Sequence, residues 1–131
     1  MMVWPGNQID RKLTVNTARG LHPRIKDRMD LTLECIRRHY LGQDSPLTET
    51  LGRYRDFFAF LECFAGFVDY FLLQDMVTAA RTAVEFFMPF DDFKTPAVPR
   101  NVDNYRSFRE RSMEFISARN RRIDRLLITE P

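Results

Sequence analysis

From Phe57 to Val77 the chain is apolar around nearly the whole circumference of a helix, and this stretch constrains the fold more than any other. At about 20 residues it is long enough to span a bilayer. It also carries Glu62, Asp69 and Asp75, and an acid near the centre of a membrane costs on the order of 3 kcal/mol. Such a segment belongs in the interior of a soluble protein, as a central helix or a helix pair that Gly66 divides.

The rest of the chain reads the same way. With 131 residues, 44% hydrophobic and 29% charged, it has the size and make-up of one globular domain with its own core. Twelve Phe against one Trp point to a core of flat rings packed between helices. Two Cys without a CxxC spacing exclude a disulfide scaffold and a zinc knuckle. Met1–Gly6 has neither the basic start nor the apolar run of a secretory signal, so the expectation is a cytoplasmic protein with reduced thiols at Cys35 and Cys63.

Helical periodicity is clear in three places. Met29, Leu33, Ile36 and Tyr40 form one stripe of a helix spanning about Lys26 to Tyr40. Asp27 and Asp30 suit its positive end, and Arg37 and Arg38 its negative end. Ser45-Pro46 opens a second helix with the stripe Leu47, Leu51, Tyr54, Phe58. The short connection through Gly42 makes these two antiparallel neighbours. A long last helix from Asp103 (as N-cap) to Leu127 carries Tyr105, Phe108, Ser112, Phe115, Arg119, Ile123 and Leu126 on one seam.

Elsewhere the pattern is extended. Val3-Trp4 and Leu13-Thr14-Val15 flank a Pro5-Gly6-Asn7 turn, so the first twenty residues read as a hairpin or arm rather than helix. Phe86–Phe93 reads as a short strand or extended loop, and Pro96 and Pro99 keep the chain extended to about residue 101. Together these give a mainly α fold, a compact bundle of four to five helices in a single domain, with a short N-terminal extended or hairpin element.

Seventeen of the twenty basic residues are Arg, and the charges are segregated into a basic 11–38, an acidic 39–98 and a basic 99–131. Either the ends pack on the middle and neutralise it, or the two basic blocks meet in one positive surface.

The densest polar chemistry lies between Asn16 and Arg28. A loop bearing Asn16, Arg19, His22, Arg24 and Lys26 runs into a helix N-terminus, and Gly20 allows close backbone approach. Free N–H groups beside Arg and Lys make an anion site. The competing reading is that Asp27 and Asp30 neutralise the same cations internally. His22 titrates near neutrality and is a candidate acid or base, with Asp27, Asp30 or Glu34 to orient it. Cys35 and His39 at i, i+4 are at most half a metal site, and no metal or cofactor is expected. Asp91-Asp92 read as solvent-facing or capping groups and Ser45 as a cap. Arg119, Arg121, Arg122 and Arg125 suit the dipole at the last helix's end, or join Arg37 and Arg38 as a footprint for nucleic acid.

The segment Asn16-x-Ala18-Arg19-Gly20-x-His22-Pro23, continuing through Ile25-Lys26-Asp27-Arg28 and Asp30 to Arg38, resembles a family of bacterial proteins of unknown function. Ser45-Pro46-Leu47, Asp56-Phe57-Phe58, Phe71-Leu72-Leu73-Gln74-Asp75 and Pro89-Phe90-Asp91-Asp92-Phe93 share the likeness, which covers nearly the whole chain. Thr78–Val84, rich in Ala, departs from it. The resemblance implies the C-terminal portion of a longer protein, in keeping with the abrupt Met1-Met2 opening, and it brings no activity with it.

The leading functional expectation is a cytoplasmic binding module. Asn16, Arg19, Arg24, Lys26 and Arg28 would face a phosphate-bearing small molecule or nucleic acid, away from any membrane. The second is an enzyme on a phosphate-containing substrate, with His22 as acid/base and Asp27 or Glu34 beside it. The third is a structural or protein-interaction domain using the Arg-rich last helix, and the sequence leaves the oligomeric state open.

Overall fold

The computed structural model describes residues 4–6, 8, 9 and 11–129. It is mainly helical: α1 (Val15–Leu21), α2 (Met29–Tyr40), α3 (Thr48–Arg53), α4 (Arg55–Phe60), α5 (Phe64–Tyr70), a 3-10 turn at Gln74–Met76, and α6 (Val102–Thr129). Among the described residues there is no strand, only an isolated antiparallel bridge between Val77 and Val84.

The expected N-terminal hairpin is not formed by the described residues; Val3 and Asn7 lie outside them. The opening arm instead leads into α1, which corrects the reading of residues 15–20 as non-helical. Thr14 is its N-cap, its hydroxyl accepting from the Thr17 N–H at 3.3 Å, and Val15 and Ala18 are buried. Seven residues make a marginal helix alone; core packing holds this one.

α2 is the central helix, buried on nearly every side from Asp30 to Ile36. It begins at Met29 rather than Lys26, because Lys26 (φ 50°) and Asp27 (φ 63°) adopt left-handed backbone that ends the preceding turn. The expected second helix is two short ones, α3 and α4, hinged at Tyr54 (φ −108°, ψ 23°). Its stripe of Leu47, Leu51, Tyr54 and Phe58 is buried. The Tyr40 hydroxyl donates to the Phe58 carbonyl at 2.6 Å and ties α2 to α4.

The apolar stretch from Phe57 to Val77 is not one helix or a simple pair. It breaks at Glu62 (φ 72°) and again at Leu72 (φ 58°), so that Phe58, Phe67 and Val68 all reach the core. The break falls at Leu61–Cys63, not at Gly66. Gly66 lies inside α5, where an added Cβ would stand 2.2 Å from the Leu61 carbonyl oxygen; only glycine admits that approach.

Residues 77–101 cross the surface without helix or strand, so the strand reading of Phe86–Phe93 gives way to its extended-loop alternative. An ion pair inside the protein fastens this segment. Arg28 donates to both carboxylate oxygens of Asp30 and to the Ala97 carbonyl, and Asp30 accepts the Phe87 N–H at 2.9 Å. α6 starts two residues earlier than expected: Asn101, not Asp103, caps it, accepting from the Asn104 N–H at 2.8 Å. Phe108 and Phe115 pack on Phe87, while Tyr105 and Leu126 of the expected seam are exposed.

Candidate functional site

A cleft of about 600 Å³ opens between the N-terminal arm, α1 and α6. Trp4, Pro5 and Gly6 form one wall, with Thr14, Asn16, Arg19 and Asp27 beside them. Met29 and Leu73 line it from the core side, and Phe115 and Arg119 come from α6. The combination of apolar walls and a few convergent polar groups is that of small-molecule sites.

Arg19 is the most constrained group there. Its Nε donates to the Thr32 hydroxyl at 2.9 Å, Nη1 to the Asp27 carboxylate, and Nη2 to the Asp27 carbonyl at 2.9 Å. The left-handed turn at Lys26–Asp27 bends the chain back so that Asp27 meets α1 from both its backbone and side chain. The Arg19 guanidinium also lies 5.5 Å from the Trp4 ring centroid, a cation–π contact. Burial lowers the Arg19 pKa, and the Asp27 charge and hydrogen bond oppose that shift. Arg119 reaches in from α6, its Nε and Nη2 both donating to the Phe71 carbonyl at 3.3 and 3.2 Å.

The structure brings only part of the sequence-derived set together. Asn16, Arg19 and Asp27 line the cleft. Arg28 is turned inward onto Asp30 and is buried. Arg24 and Lys26 are exposed on the connecting turn, outside the cleft, with no ion pair among the described residues. His22 is half-buried, and its Nδ1 accepts the Arg24 N–H at 3.1 Å, which leaves Nε2 to carry the proton of the neutral ring. Burial, then the Arg24 charge, lowers its pKa.

No hydrogen bond joins His22 to its expected orienting acids among the described residues. Asp27 is taken by Arg19, and the buried Glu34 carboxylate by Arg37 and Arg38. Asp27 before α2, and Asp30 and Glu34 within it, therefore neutralise much of the nearby cationic charge.

Trp4, Leu73, Phe115 and Arg119 were not in the sequence-derived site. One signal for Arg119 was available: it occupies an otherwise mostly apolar helical seam. Trp4 offered only its rarity, and nothing local marks Leu73 or Phe115 as neighbours of residue 16.

Among the described residues no three His, Cys, Asp or Glu side chains gather as a metal site would require. Cys35 is buried, which pushes its thiol up to about 12, and the His39 ring meets Tyr40 edge-on and Phe58 at a tilt. Among the described residues no helix is long and apolar enough to cross a membrane.

Residues 1–123 match the model of a family of unknown function (DUF6994). No curated protein and no solved structure matches the chain. With nearly its whole length matched, the chain belongs to this family of unknown function.

Proposed function

We propose that this domain binds a phosphate-bearing small molecule in the cleft beside α1, with Asn16 and Arg19 among its ligands. The observation that carries the reading is the meeting of Arg19 and Arg119 with the Trp4 ring around one 600 Å³ space. Arg forks suit phosphate oxygens. Trp4 and Phe115 supply faces for a flat, apolar portion of the same ligand. Because Thr32 and Asp27 already hold Arg19 in place, its ordering cost on binding is small. Asp27 opposes an anion in the same space and so tunes affinity downward. Free thiols at Cys35 and Cys63 accord with a cytoplasmic setting.

The test is thermal denaturation with inorganic phosphate, mononucleotides and a single-stranded oligonucleotide in turn. A ligand at about 100 times its Kd adds about 2.7 kcal/mol, a rise on the order of 10 °C for a domain of this size. A mononucleotide is expected to give the largest rise and to quench Trp4 fluorescence. An oligonucleotide effect that depends on Arg24 and Lys26 would move the site to the exposed turn. No shift with any of them defeats the binding reading.

A further inference from the structure

α6 carries two faces, and only one of them meets the rest of the domain. Phe108, Phe115 and Arg122 turn toward the body, where Arg122 pairs with Asp75. On the other side Val102, Tyr105, Met113, Ile116 and Leu127 are each more than half exposed. At 100° per residue these five fall within about 80° of the helix circumference, so they form one stripe. Arg109 and Asn120 interrupt it and share the same face. A stripe spaced at three and four residues along a helix about 42 Å long is the pattern of a helix–helix seam.

We infer that this stripe is a self-association surface: α6 pairs antiparallel with α6 of a second copy. The order of residues selects both the partner and the direction. With the two-fold axis between residues 114 and 115, Met113 faces Ile116 of the second copy and Val102 faces Leu127. The two polar interruptions then meet each other, Arg109 against Asn120. A parallel pair would instead set Arg109 against its own copy.

The flank makes the same choice. An antiparallel pair places like flanks together, so Arg106 lies beside Asp124 of the second copy and Glu110 beside Arg121. None of these four has an ion-pair partner within its own chain among the described residues. The pairing supplies an opposite charge to each, twice over by symmetry. The five apolar side chains expose on the order of 100 Å² each, so a pair buries above roughly 1,000 Å², the lower range of specific interfaces.

Sedimentation velocity on the full chain between about 1 μM and 1 mM, the range in which an interface this small dissociates, should show a monomer–dimer equilibrium. Ile116→Glu, at an exposed position, should weaken it at least tenfold with the helical circular dichroism unchanged. Asp124→Arg should also weaken it, and adding Arg106→Asp should restore it. Direction is read by disulfide trapping in a Cys63→Ser background: a mixture of Val102→Cys and Leu127→Cys chains should cross-link, and neither should do so alone. A monomer throughout, a dimer indifferent to Ile116→Glu, or trapping of Leu127→Cys with itself would each overturn the proposal. Trapping does not depend on the charged variants and stands if one of those fails to fold.

Discussion

Asp30 accepts the backbone N–H of Phe87 at 2.9 Å, across fifty-seven positions of sequence. The same carboxylate, fully buried, holds the Arg28 guanidinium. One side chain therefore neutralises a cation inside the core and anchors the long irregular segment that leads to α6. Asp30→Ala strands the Arg28 charge, and breaking a buried pair from one side costs about 3–5 kcal/mol. Urea denaturation should show that loss. Arg28→Met with Asp30→Leu should lose less than the two single changes added together, because no unpaired charge then remains.

Gly66 and Gly20 should respond oppositely to alanine. At Gly66 the new methyl collides with the Leu61 carbonyl at 2.2 Å, and the backbone must shift, costing roughly 1–3 kcal/mol. At Gly20, inside α1, nothing lies within 4 Å of the new Cβ. Gly20→Ala should raise stability by about 0.5–1 kcal/mol through the smaller entropy of the unfolded chain. Thermal melts of the two variants check the pair.

Cleft binding and turn binding make different demands on Arg. Arg119→Ala and Asn16→Ala should each cut affinity for a phosphate-bearing ligand about tenfold or more, the worth of one charged hydrogen bond. Arg24→Ala, outside the cleft, should change it less than twofold. Asp27→Asn removes the opposing charge and should tighten anion binding. Trp4 fluorescence titration separates these outcomes, and equal losses at Arg24 and Arg119 would contradict the cleft.

Stability should fall as the solution is acidified below neutrality. Burial lowers the pKa of both His22 and His39 from the ordinary 6.5, so the unfolded chain takes up protons first. Their contribution is fully present above pH 6.5 and is lost as pH drops toward the folded values. His39→Gln should flatten the decline between about pH 7 and 5, since that ring packs on Phe58 with centroids 5.0 Å apart. Chemical denaturation at a series of pH values measures the slope.

Periodicity in the chain was enough to determine the helical class and the inward stripes. Leu33 and Ile36 of α2, and Leu47, Leu51, Tyr54 and Phe58 beyond it, are buried as their spacing demands, because side chains three and four apart share a face in any helix. Tertiary structure alone decided the rest. α1 exists because Val15 and Ala18 find the core, against a local composition that favours extended chain. The left-handed backbone at Lys26 and Asp27 sends Arg19 to Asp27 and Arg28 to Asp30, a choice between acids that neighbouring residues leave open. The cleft joins Trp4, Arg19, Leu73 and Arg119 from four separate parts of the chain. Their meeting is set by how helices pack, and packing depends on the summed burial of the whole chain, which no local spacing encodes.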